Sequence, residues 1–249
     1  MTIALITGGS RGLGRSTALH LARAGVDIVL TYQKNAEAAG ETRAEIVGMG
    51  RKAVALSLDV GLSATFAAFA GRLREALADF GADRIDYLVN NAGDGAYVPF
   101  AETTEATFDH LFAVHLKGPY FLTQALLPLL RDGGRIVNLS SGLARFSMPG
   151  SSAYAVMKGG VEVLTRYLAR ELGPRGISAN TIAPGAIETD FGGGRVRDNA
   201  DINRMVAGNT AMGRVGLPDD VGAAVASLLT ADANWVTGQR IEVSGGQLL

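Results

Sequence analysis

Cysteine is absent from the 249-residue chain. That excludes disulfides, zinc–thiolate sites, iron–sulfur clusters and a thiol nucleophile together, and it suits a reducing compartment, so a cytoplasmic location is expected. Histidine is nearly as scarce: His20, His110 and His115 are too few and too scattered for a metal centre, and no metal is expected. Neither sign of charge dominates, with 23 Lys+Arg against 24 Asp+Glu and a net charge of -1. Without a basic field, neither nucleic acid nor a membrane surface is an expected partner. No apolar run approaches the roughly 18 residues of a membrane span, and a strand-like run begins at Thr2 with no basic leader before it.

The residues that are present, 47% of them hydrophobic, can build a substantial core. Short β-branched apolar runs at 3–7, 27–31, 52–58, 85–90, 135–140, 177–183 and 240–243 read as strands. Amphipathic stretches lie between them. In one, Phe66, Phe69, Leu73, Leu77 and Phe80 recur at helical spacing and share one face. Strands alternating with helices imply right-handed crossovers and a parallel sheet. The expected architecture is α/β: one doubly wound domain over 1–249, with a seven-stranded parallel sheet and helices on both faces. The glycine-rich, charged stretch 189–199, part of a segment reaching 212, reads either as a mobile lid over a site or as a surface insertion.

Two clusters carry chemistry. The first strand runs into Thr7-Gly8-Gly9-Ser10-Arg11-Gly12-Leu13-Gly14, and a helical pattern follows from Ser16. Glycines let the backbone turn tightly and approach a pyrophosphate, and a helix N-terminus then presents free N–H groups to it. A structural tight turn is the plain alternative. The second cluster is Ser141, Tyr154 and Lys158. Tyr154 and Lys158 sit one helical turn apart, so they share a face, and an ammonium there is expected to lower the phenol pKa. A phenol so tuned can protonate a carbonyl oxygen or deprotonate an alcohol, while the Ser141 hydroxyl holds that oxygen. Taken alone, Tyr-x-x-x-Lys is an ordinary helical pair. The phosphate loop and a strand-end serine give it weight.

On these motifs the chain resembles the short-chain dehydrogenase/reductases of the 250-residue type, close to the 3-oxoacyl-[acyl-carrier-protein] reductases. Asp59-Val60 resembles the pair that meets the adenine. Asn90-Asn91-Ala92-Gly93 resembles the strand-4 motif that stabilises the sheet and lines the adenosine pocket. Pro184-Gly185 with Ile187 and Thr189 resembles the segment holding the nicotinamide carboxamide, and Trp235–Gln239 with Ser244-Gly245-Gly246 looks like the C-terminal signature. The resemblance implies a Rossmann domain and hydride transfer between a nicotinamide and a carbonyl carbon. Ser141 would polarise the carbonyl, Tyr154 would supply the proton and Lys158 would hold the nicotinamide ribose. It also implies a homotetramer. The apolar Leu248-Leu249 would then lie in an interface or pack inside the subunit.

The choice of dinucleotide follows from the end of the second strand. Acid-bearing enzymes of this fold bind the 2′-hydroxyl of NAD there. Here Thr31-Tyr32-Gln33-Lys34 carries no acid, and Arg11 and Lys34 suit a 2′-phosphate, so NADP(H) is expected with Tyr32 beside it. One position departs from the family: Val114-His115-Leu116-Lys117-Gly118 has His115 where an Asn kinks the helix and holds a relay water. His115 would hold that water, shuttle the proton itself, or act only as a helix residue. Tyr97, Phe100, Phe146, Met148 and Phe191 are expected in the substrate wall. The substrate is a small carbonyl or alcohol compound, with a carrier-linked acyl chain, free ketone, sugar and polyketide intermediate all open. The alternatives are an alcohol dehydrogenase working oxidatively, a dehydratase or epimerase on the same fold, and a non-catalytic nucleotide sensor.

Overall fold

A computed structural model describes residues 1–232 and 235–249. Seven strands form one sheet: β1 (Ile3–Ile6), β2 (Asp27–Tyr32), β3 (Ala53–Ser57), β4 (Ile85–Asn90), β5 (Leu130–Leu139), β6 (Ser178–Pro184) and β7 (Arg240–Val243). Their order is β3-β2-β1-β4-β5-β6-β7, and every ladder is parallel. Each strand therefore returns through a crossover, and the helices fall on both faces. They are α1 (Gly12–Arg23), α2 (Ala36–Gly48), α3 (Phe66–Phe80), α4 (Glu105–Phe112), α5 (Gly118–Leu126), α6 (Ser152–Leu172), α7 (Arg195–Asp198), α8 (Ala200–Gly208) and α9 (Pro218–Thr230). None is long and apolar enough to cross a membrane.

The seven strands stand where the apolar runs placed them, with shifted ends. β5 begins at Leu130 rather than 135, because Leu130 pairs with Ile85 across a bulge. The first helix starts at Gly12, four residues before the expected Ser16, since the glycine loop already turns into it. The helical face predicted from Phe66, Phe69, Leu73, Leu77 and Phe80 is buried along α3, and each such side chain contributes about 1.5–3 kcal/mol. The segment after β6 is only partly loop: α7 and α8 occupy most of it.

The strand order reverses between β1 and β4, and in an open parallel sheet the crevice at that point lies outside the carboxyl ends of the strands. The residues following β1, β4, β5 and β6 all belong to the predicted site. Thr7 leads the first of these loops, and Asn90 closes β4. Buried Asn90 donates to Thr123 Oγ1 (3.0 Å) and to Asn138 Oδ1 (2.8 Å), tying the crevice floor to α5 and β5.

Candidate active site

The strand ends open onto one cleft of about 970 Å³. On the β1 side, Thr7 Oγ1 accepts from the Asn91 and Ala92 N–H groups (2.9 and 3.0 Å). The Asn91 amide donates back to the carbonyls of Thr7 (2.8 Å) and Gly8 (3.2 Å). The glycine loop is thereby laced to the loop after β4. Gly8 and Gly12 hold φ of +66° and +54°, the left-handed region that glycine favours. α1 then begins with no side-chain cap, leaving its first N–H groups for an anion. This cradle fits a pyrophosphate.

The other end of the cleft fits a carboxamide. Ile187 forms a parallel bridge with Gly216, in which Gly216 N–H donates to Ala186 (3.1 Å) and Glu188 N–H donates to Gly216 (2.9 Å). That pattern uses neither polar group of Ile187 itself. Among the described residues its N–H and C=O have no partner, and Ile187 lines the cleft.

All the residues expected at the cofactor border this cleft except Gly14, which packs behind it against Gly8 and Asn91. Asp59 is held by Gln33 Nε2 (2.7 Å) and the Gly61 N–H (2.8 Å). Exposed Arg11 lies 3.6 Å from Asp190 of the segment after β6, and Lys34 is also exposed. Of the expected wall, Tyr97, Phe146, Met148 and Phe191 line the cleft. Phe100 does not. It is 85% exposed, at the start of a short helical turn that faces solvent.

Ser141, Tyr154 and Lys158 do meet. Ser141 caps the turn Gly142–Ala144, accepts from the Leu143 N–H (3.2 Å), and its hydroxyl is near enough to the Tyr154 phenol to favour the ionised form. Tyr154 and Lys158 are buried on α6. Lys158 Nζ donates to the Leu139 carbonyl (2.7 Å) and lies 5.5 Å from the Tyr154 ring centre. Burial pushes the ammonium down to about 8 and the phenol up. The expected lowering of the phenol is thus reversed, because desolvation outweighs a charge at that distance. Tyr154 is a neutral, proton-bearing group across the physiological range. It is built to give a proton.

His115 sits in a π-helical turn, Ala113–Lys117, between α4 and α5, so the helix departs from α-geometry at the residue that departs from the family. It is 1% exposed and meets the Tyr154 ring edge-on, centres 5.0 Å apart. Gly93 makes room for it: a Cβ there would lie 2.5 Å from His115 Cε1. Nε2 is 2.7 Å from the Asp94 carbonyl oxygen, which can only accept, so Nε2 carries the proton. Nδ1 is then a bare acceptor, buried with no partner. Burial, aided by the Lys158 charge, lowers His115 to about 4. That removes the shuttle, which needs an imidazolium near neutrality, and leaves a fixed acceptor suited to a water. Asp94 escaped sequence reasoning, although it directly follows the Asn90–Gly93 motif. Hydrogen bonding from His115 and then from His110 (2.7 Å) holds its carboxyl near 2.

The segment after β6 reaches these groups. The Phe191 ring centre is 5.7 Å from that of Tyr154, and Gly95 admits it, since a Cβ there would lie 2.8 Å from Phe191 Cε1. Gly192, Gly193 and Gly194 all adopt positive φ, after which Arg195 stacks 5.0 Å over the Tyr97 ring.

Residues 8–247 match the family model described as Enoyl-(Acyl carrier protein) reductase. The chain is 36% identical over 258 aligned positions to the hydroxynaphthalene reductase-like protein Arp2 of Metarhizium brunneum, covering 99% of this chain and 94% of that one. Its fold superposes with a TM-score of 0.94 on LugOII, a promiscuous reductase that catalyses keto-reduction at C1 during lugdunomycin biosynthesis, at 37% identity over 100% of this chain and 98% of the other. The angucycline C-6 ketoreductase LanV with bound NADP gives the same TM-score of 0.94 at 35% identity, covering 99% and 95%.

Proposed function

The chain belongs to the short-chain dehydrogenase/reductase family, and on that premise we propose that it is an NADPH-dependent ketoreductase. The observation that carries this reading is the buried, neutral Tyr154 phenol, beside Ser141 in one cleft with a phosphate cradle and the unpaired backbone groups of Ile187. The cleft residues would hold NADPH, which when bound supplies the hydride. Ser141 and Tyr154 hold the substrate carbonyl oxygen. As charge develops there, the Tyr154 hydroxyl transfers its proton to it, leaving a secondary alcohol. Lys158 would hold the nicotinamide ribose, and its charge stabilises the phenolate that Tyr154 becomes. His115 Nδ1 accepts a hydrogen bond from the water through which Tyr154 regains its proton. The segment 189–212 closes over the substrate, with Phe191 against Tyr154.

The substrate class we infer is a ketone on a fused-ring aromatic scaffold. The aromatic side chains of Tyr97, Phe146 and Phe191 line the cleft, and the hydroxynaphthalene and angucycline reductases among its relatives act on such frameworks by name. The test is nucleotide oxidation over a ketone panel containing 1-tetralone-type ketones and an acetoacetyl thioester, with NADPH and NADH run in parallel. The bicyclic ketones are expected to turn over with the higher kcat/KM, and NADPH to outperform NADH at least about tenfold, since Thr31-Tyr32-Gln33-Lys34 at the end of β2 carries no acid to repel a 2′-phosphate and Arg11 and Lys34 are cations near it. Arg11→Ala should narrow that ratio. An NADH preference refutes the cofactor assignment. We also place the protein in the cytoplasm as a homotetramer. Leu249, 94% exposed, does not pack inside the subunit, which favours its burial against another copy.

For His115, the fixed-acceptor role sets a modest expectation. His115→Ala should lower kcat about tenfold, below the range of about 10²–10⁴ for a direct proton donor. His115→Asn, which restores an acceptor, should retain most activity. Because His115 stays neutral down to about 4, the wild-type kcat should show no step from it between pH 5.5 and 8. Wild-type turnover in His115→Ala throughout that window rules out any part in the relay.

A further inference from the structure

The C-terminal chain, from Ser244 on, has no part in the chemistry above, yet it is pinned unusually well. Gly245 and Gly246 turn it through φ of +63° and +79°, and Leu248 follows at +51°, the one non-glycine left-handed residue among those described. A side chain disfavours that conformation, so something must hold it. The Leu248 N–H donates to the Asn209 carbonyl (2.9 Å). Arg145, four residues after Ser141, donates to the carbonyls of Leu248 (2.8 Å) and Gln247 (2.7 Å). The same guanidinium is paired with Glu242 of β7 through Nε (2.9 Å).

The residue so fixed is Gln247. It is 4% exposed and borders the cleft. Its Oε1 accepts from the Ala186 N–H at 2.9 Å, across 61 positions of sequence. Contact with the neighbouring glycine is close, since a Cβ on Gly185 would lie 2.8 Å from the same oxygen. The two peptide units flanking Ala186 are thus each held, Gln247 accepting from its N–H and the Gly216 N–H donating to its C=O (3.1 Å). The next residue is Ile187, which lines the cleft and whose own N–H and C=O have no partner among the described residues. A change in the φ and ψ of Ala186 would re-aim both groups.

We propose that Gln247, held by Arg145, is a positioning residue for the nicotinamide half of the dinucleotide: it fixes the Ala186 peptide and so aims the Ile187 N–H and C=O at the carboxamide. The proposal rests on the reading of this cleft as an NADP(H) site. It differs from a general stabilising role in what it selects. An adenosine with its 2′-phosphate would lie towards Tyr32, Lys34 and Asp59, away from Ala186, so loss of Gln247 should be felt chiefly by ligands that carry a nicotinamide.

The experiment compares two ligands by isothermal titration: NADP⁺, and 2′-phospho-ADP-ribose, which lacks the nicotinamide ring. Gln247→Met keeps the bulk of the side chain and removes the acceptor, leaving the Ala186 N–H buried and unpaired. It should weaken NADP⁺ by about tenfold and leave 2′-phospho-ADP-ribose within about twofold of wild type. Gln247→Glu, which still accepts from Ala186, should restore NADP⁺ binding to within about threefold. Arg145→Met should weaken NADP⁺ selectively as well, by releasing the strap. Unchanged NADP⁺ binding in Gln247→Met overturns the proposal, as does an equal loss on both ligands, or a Gln247→Glu variant no better than Gln247→Met. Failure of the wild-type protein to bind either ligand instead overturns the reading of the cleft.

Discussion

Tyr154→Phe is expected to lower kcat for ketone reduction by about 10²–10⁴, the range for loss of a group that transfers a proton directly, while the NADPH dissociation constant changes less than about threefold. The separation follows from the packing. The aromatic ring stays in place, edge-on to His115 (5.0 Å) and beside Phe191 (5.7 Å), so the pocket keeps its shape. Only the hydroxyl goes, and with it the proton and the interaction with Ser141. Steady-state kinetics against a tetralone-type ketone, paired with fluorescence titration of NADPH, measures both quantities. Turnover within a few-fold of wild type would falsify the role given to Tyr154. Because burial raises the phenol rather than lowering it, the residual rate of wild type should also show no loss from tyrosine ionisation up to about pH 10.

Gly14→Ala should destroy the cradle rather than the chemistry. A Cβ at position 14 would overlap the Gly8 carbonyl oxygen and lie 2.5 Å from Asn91 Nδ2. Neither neighbour can give way freely, since that asparagine amide is what ties Thr7 and Gly8 to the β4 loop. Overpacking at such a site costs about 1–3 kcal/mol, seen as a lower midpoint in urea. NADPH affinity should fall at least about tenfold, because the strain is relieved by moving the loop that receives the pyrophosphate. Gly40→Ala is the matched control. It lies within α2 with nothing near its would-be Cβ, so it should be neutral or slightly stabilising. A Gly14→Ala protein with wild-type stability and NADPH binding would show that the contact relaxes elsewhere.

Much of this molecule was legible along the chain because its signals are local. Short β-branched apolar runs and a 3.6-residue stripe are written within a dozen residues, so all seven strands and the buried face of α3 could be read directly. The glycine loop and the Tyr154–Lys158 pair are equally compact, and they pointed to a phosphate site and a proton donor, with the reaction following from the family resemblance. What folding alone decided depends on distance and burial. The Tyr154 pKa turns on how far Lys158 stands from the phenol and how little water reaches either, and spacing on a helix gives the first only crudely and the second not at all. The His115 tautomer is set by the Asp94 carbonyl 21 positions away. Phe100 looked like a wall residue until its turn faced solvent. Gln247 reaches Ala186 only because β6 and β7 lie side by side in the sheet and deliver the chain end to the nicotinamide segment. Periodicity says which face of an element is buried; which buried groups then face one another is settled by the packing of elements remote in sequence.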